Sequence, residues 1–150
     1  MAKKKTGKSR FFWGFCLLLY SLLMLWLLFG QRWGTSVYRQ ELAENINLIP
    51  FATLGRYWQL LQGGDGGLVR HAFINLAGNV VMFIPLGALL PAVYSRLRGF
   101  FQTFFFSAML IATVEALQYA TLLGTCDIDD LILNLAGVIL GYILYRCTRQ

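Results

Sequence analysis

FFWGFCLLLYSLLMLWLLF occupies Phe11 to Phe29 and is apolar except for Ser21. A run of about 19 residues, rising ~1.5 Å each as a helix, is long enough to cross a hydrocarbon core. Lys3, Lys4, Lys5, Lys8 and Arg10 lie before it, as in the n-region of a secretory signal. The run is too long for a signal's apolar region, however, and GQRWG after it lacks a small-x-small cleavage pattern. The stretch therefore reads as a retained signal anchor. Cys16 follows WGF rather than a lipobox, which argues against lipidation there.

Composition extends this reading to the whole chain. Of 150 residues, 57% are hydrophobic and 13% charged, where a soluble domain carries about 25% charged. A net charge of +6 would suit a nucleic-acid partner if the basic residues formed a patch. They lie between long apolar runs, so no nucleic-acid partner is expected and membrane orientation explains them better. Three more candidate spans follow, at 72–93, 100–123 and 128–145. Pro85 and Pro91 fall in the second, where a membrane helix tolerates them and bends.

The expected fold is all-α, with four transmembrane helices and an extracytoplasmic segment between the first and second. Residues 1–10 form a basic cytoplasmic tail and 11–150 the membrane domain. Cytoplasmic termini put Lys3, Lys4, Lys5, Lys8, Arg10, Arg96, Arg98, Arg146 and Arg149 inside. Only Arg32, Arg39, Arg56 and Arg70 are left outside. Trp33, Tyr57, Trp58, Tyr94 and Tyr145 fall near the interfaces. In the outer segment, ATLGRYWQLLQ predicts a short interfacial helix with Leu54, Trp58 and Leu61 on one face. GGDGG, at 63–67, predicts a hinge. Cys16, Cys126 and Cys147 are separated by the spans and form no disulfide framework.

Polar residues inside the spans fall into register. Asn75 and Asn79 are four apart on the second span, Glu115 and Gln118 three apart on the third. Asp127, Asp130 and Asn134 share a face of the fourth. At the helical rise, Asn79 and Asn134 each lie roughly 10 Å below the outer start of their helices, and Glu115 lies about 12 Å below it. Three helices thus bring polar groups to one level in the outer half of the membrane. An ionised Glu115 at that depth costs several kcal/mol unless paired or wetted, so it should face the bundle interior. Arg56, Arg70 and His71 are its nearest basic candidates; protonation or a bound cation is the alternative.

Each residue also has a plainer role. Asp127 and Asp129 suit the start of the fourth helix as cap and dipole partners. Asn75, Asn79 and Asn134 suit interhelical hydrogen bonding, and GxxxG at Gly137 and Gly141 suits close packing within the molecule. HExxH, GxSxG, Walker A and paired CxxC motifs are absent, and one histidine excludes a multi-histidine zinc site. DIDD lacks the glycine and final glutamate of an EF-hand loop. No cofactor is expected; an oxygen-ligated divalent cation at Asp127, Asp130 and Glu115 is the alternative.

Four blocks in order carry a resemblance: NLIPF (47–51), NLAGNVVMFIPLGALLP (75–91), EALQ (115–118) and DIDDLILNLAGVILGY (127–142). Together they resemble the VanZ-like family. The resemblance implies a small multi-pass protein of the bacterial cytoplasmic membrane, in a family linked to glycopeptide resistance, teicoplanin above all. It assigns no catalytic residue. The blocks contain the same polar residues that depth and spacing bring together.

Three functions follow. The first is an envelope protein that binds an amphiphile, such as a lipid-linked cell-wall precursor or a lipoglycopeptide, in an outward-facing cleft. Asn75, Asn79, Glu115, Gln118, Asp127, Asp130 and Asn134 would line it. The second is a membrane enzyme acting on an envelope lipid, with Glu115 and Asp130 as acid/base pair or metal ligands. The third is a structural or partner-binding membrane protein. Membrane lipids are partners in all three.

Overall fold

A computed structural model describes residues 4–30, 46–63, 66–124 and 126–149; for 4–9 and His71 it describes the backbone alone. The helices are α1 (Lys4–Leu28), α2 (Ala52–Gly63), α3 (Gly66–Val93), α4 (Phe100–Ala120) and α5 (Ile128–Cys147). Two short strands, β1 (Ile46–Asn47) and β2 (Cys126–Asp127), pair in parallel, Ile46 opposite Cys126 and Asn47 opposite Asp127. A 3-10 turn at Ser95–Leu97 joins α3 to α4.

The helices at Arg10–Leu28, Gly66–Val93, Phe100–Ala120 and Ile128–Cys147 are long and apolar enough to cross a membrane. Their outward faces carry exposed apolar side chains, among them Leu22 on α1, Phe101, Phe105 and Met109 on α4, and Ile143 and Leu144 on α5. A surface this apolar suits lipid rather than water.

Three boundaries differ from expectation. The helix containing the first span starts within the basic tail at Lys4. The helix of the second span starts at Gly66, inside the GGDGG stretch, whose Gly63 ends α2 and whose Gly66 and Gly67 open α3, so the expected hinge is helical except at Gly64 and Asp65, which lie outside the described residues. The third stops at Ala120, short of Leu123, because the chain turns into a left-handed cap. Leu122 has φ 54°, and the N–H groups of Leu123 and Gly124 turn back to the Gln118 carbonyl at 2.9 and 3.2 Å. Carbonyls that a helix end leaves orphaned are thereby satisfied.

α3 and α5 share the most extensive interface, and glycine makes it close. Gly137 lies against the Val80 carbonyl, Gly141 against the Ile84 carbonyl, and Gly87 against the Val138 carbonyl. A Cβ at any of the three would collide with backbone. The GxxxG pair therefore packs within the molecule, as small residues in membrane helices do. Around this axis Met24, Phe83, Leu86, Leu90, Ile111 and Val138 form the core. Tyr20 of α1 donates a hydrogen bond to the Met82 carbonyl at 3.0 Å. Tyr142 of α5 donates to the Arg98 carbonyl at 2.9 Å, fixing the turn between α3 and α4.

Candidate functional site

Asp127 caps α5. Its backbone is extended, and its carboxylate accepts the Asp129 N–H at 2.9 Å. The same carboxylate accepts the Asn47 amide at 3.1 Å and the Thr53 hydroxyl at 2.6 Å. The Thr53 oxygen in turn accepts from Asn47 at 2.9 Å and from the Arg56 guanidinium at 3.2 Å. These side chains, with Ile46, Tyr57 and Leu60, border a cavity of about 510 Å³.

Asp129 has a different task. It is fully buried, and its carboxylate accepts the backbone N–H groups of Phe51 (2.5 Å), Thr53 (2.8 Å) and Leu54 (3.0 Å). The residue ahead of α2 is Phe51, which has no side-chain acceptor, so Asp129 supplies the missing cap from a distant part of the chain. Phe51 itself takes the left-handed conformation, φ 67°. The sequence reading gave Asp129 only a place at the start of its own helix. The signal was the opposite one: IPFAT opens a helix without an Asn, Asp, Ser or Thr in front of Ala52.

A second polar cavity, of about 280 Å³, lies among α1, α3, α4 and α5. Asn75, Asn79, Glu115, Gln118, Asp130 and Asn134 all line it. The common depth inferred from helical rise is therefore a shared cavity wall. Asn79 donates to Asp130 at 2.6 Å, joining α3 to α5. Asn75 donates to the Tyr57 hydroxyl at 2.5 Å, joining α3 to α2. Gln118 donates to the Leu28 carbonyl at 3.0 Å, satisfying the open end of α1. Asn134 is 4% exposed, and its Oδ1 has no hydrogen-bond partner among the described residues.

Asp127 is the one predicted site residue placed elsewhere: it lines the larger cavity with Arg56. Arg56 accordingly bonds Thr53 beside Asp127 and does not line the cavity that Glu115 lines. Arg70 is exposed, and the His71 side chain lies outside the described residues. Trp33 and the rest of 31–45, with Arg32 and Arg39, are outside them too. Among the described residues, no group of three or more His, Cys, Asp or Glu is placed to share a metal ion. The predicted short helix forms as α2, with Trp58 exposed on it. NLIPF folds onto the start of α5 through Asn47 and the Asp129 cap.

The Cys126 thiol is held above its ordinary pKa, first by burial and then by the negative charges of Glu115 and Asp127.

An apolar groove of about 200 Å³ adjoins the polar cavity. Tyr20, Met24, Leu25 and Phe29 of the α1 region line one side, Leu86 and Leu110 the other. Leu28, Phe83, Ile111 and Val114 line both the groove and the polar cavity.

The VanZ/LLP1 family matches residues 12–149. The chain belongs to this family. It is 30% identical over 136 residues to Protein VanZ of Enterococcus faecium, covering 89% of this chain and 73% of that protein. No solved structure matches. With four helices able to span and a VanZ-like sequence, this is a multi-pass membrane protein. The match runs from within α1 past the end of α5, so both cavities lie inside the family region.

Proposed function

We propose that this VanZ-like protein binds an amphiphilic envelope ligand, with its polar part in the cavity between α3, α4 and α5. The observation that carries the reading is the shared wall of Leu28, Phe83, Ile111 and Val114. It sets a carboxylate- and amide-lined space directly beside an apolar groove, which is the shape of a head and a tail. A cavity of about 280 Å³ sits at the small end of ligand sites, ~300–1,000 Å³. It takes a headgroup rather than a whole glycopeptide. With both termini cytoplasmic, the cavity opens toward the outer face, where lipid-linked cell-wall precursors and lipoglycopeptides meet the membrane. Kinship with VanZ extends the proposal to teicoplanin resistance.

The test is teicoplanin susceptibility in a sensitive Gram-positive host. It compares empty vector, wild type and Asp130→Asn, with membrane abundance measured in parallel. Resistance from wild type, lost in an equally abundant variant, supports the reading. No resistance from well-expressed wild type separates this protein from glycopeptide resistance and leaves envelope lipids as the ligand class.

A second reading, a membrane enzyme, draws on Glu115 and Asp130 lining one cavity. Turnover of an envelope lipid, abolished by Glu115→Gln in a folded protein, would favour it over binding alone.

A further inference from the structure

We infer that the turn at Leu48–Phe51, together with Trp58 of α2, is inserted in the interfacial layer of the lipid bilayer. The contact is separate from the polar cavity and from whatever binds there. Leu48, Ile49, Phe51 and Trp58 are 63%, 70%, 64% and 63% exposed. All four lie outside the helices able to span. A turn is ordinarily made of Gly, Asn, Asp, Ser and Pro. Here it reads Leu-Ile-Pro-Phe.

The turn is also built to hold its shape. The Asn47 side chain accepts the Ile49 N–H at 3.2 Å, and the Ala52 N–H returns to the Ile49 carbonyl at 3.3 Å. Phe51 takes φ 67°, a left-handed conformation rare for a bulky side chain. The Asp129 carboxylate holds it there by its N–H. Apolar side chains are thus presented outward by a braced backbone.

Position and composition select lipid as the occupant. Asp129, which braces the turn, is the second residue of α5, and the Tyr57 hydroxyl accepts a hydrogen bond from Asn75 of α3. The turn and α2 are therefore tied to one end of two spanning helices. At that end α3 exposes Leu68, Phe73 and Ile74, so the patch sits at the rim of a lipid-facing surface. From Ile46 to Gly63 the one charged residue is Arg56, whose long stem lets its guanidinium reach the headgroups. Tyr57 and Trp58 are the residue types that gather at a membrane interface. The contact is not the face expected from the sequence. Leu54 and Leu61 are half-buried, which leaves Trp58 and the turn to meet the lipid.

The experiment uses the full chain in phosphatidylcholine nanodiscs, reduced to one tryptophan at a time by substitution of the others with Phe. One form keeps Trp58. Another keeps Trp26, 57% exposed on α1, as the lipid-facing reference. Ile49→Trp in the tryptophan-free chain probes the turn, and Leu48→Trp is the second probe there. Melting and elution like those of wild type check that each form is folded. Emission is read with lipid brominated close to the headgroup, then with acrylamide in the water. Bromolipid quenching at Trp58 and at the turn is expected within about twofold of that at Trp26. Weaker quenching at either position overturns the inference, and acrylamide then says why. Quenching by acrylamide puts the patch in water. Quenching by neither puts it under protein, from this chain or a second copy.

Discussion

The carboxylate of Asp129 accepts the backbone N–H of Thr53 at 2.8 Å, across 76 residues of sequence. One buried side chain thus closes the start of α2 from the first turn of α5. Its neighbour Asp127 holds Thr53 by the hydroxyl. Two acids of DIDD fasten the NLIPF segment, and the third faces the cavity.

Removing that fastening has a definite cost. Asp129→Ala leaves three backbone donors without their acceptor, and the expected destabilisation is about 3 kcal/mol. Asp129→Asn keeps one oxygen and should lose less. Thermal unfolding in detergent measures both, and limited proteolysis should cut the Ala variant first around 48–54. Wild-type stability in Asp129→Ala would show that the cap contributes nothing.

The α3–α5 contact predicts a contrast among glycines. Gly137→Ala and Gly141→Ala each push a Cβ against a main-chain carbonyl, and overpacking of this kind costs about 1–3 kcal/mol. At Gly78 nothing lies within 4 Å of an added Cβ. Gly78→Ala should be neutral, or stabilising by up to about 1 kcal/mol through helix propensity. Melting temperatures of the three variants decide it.

Asn79 and Asp130 should behave as a coupled pair. A hydrogen bond to a charged group contributes about 1.5–3 kcal/mol, so Asn79→Ala, Asp130→Ala and the double variant should be non-additive on that scale. Additive losses would mean that the two side chains act independently despite the 2.6 Å contact.

Cys126 offers a probe of the charge beside it. Its raised pKa means that the thiolate, the reactive form, appears only at higher pH than for an ordinary thiol. Maleimide labelling should therefore be slower at Cys126 than at exposed Cys147 near neutral pH. Glu115→Gln removes a negative charge that raises the pKa, so the rise in Cys126 labelling should move to lower pH. A profile unmoved by that substitution would place the Glu115 charge out of reach.

Much of this was legible in the chain itself. Apolar runs of spanning length announce the four long helices, and i, i+3, i+4 spacing with helical rise puts Asn79, Glu115, Asp130 and Asn134 on one wall. Periodicity is a property of single helices, and those residues need only their own helices to be placed. Asp127 and Asp129 were harder. Their partners, Asn47, Phe51, Thr53 and Leu54, belong to a different segment, and a bond that closes across the fold leaves no periodic trace. The end of α4 was misjudged for a related reason: Leu122 enters a left-handed turn with no glycine there to signal it.

The order of synthesis gives the Asp129 cap one further meaning. α2 leaves the ribosome well before α5, and its first turn has no acceptor of its own. That turn cannot be completed until the first turn of α5 has been made. A chain cut short before residue 129 would carry α2 with bare amide groups at its first turn. The arrival of α5 is thus also what completes the start of α2.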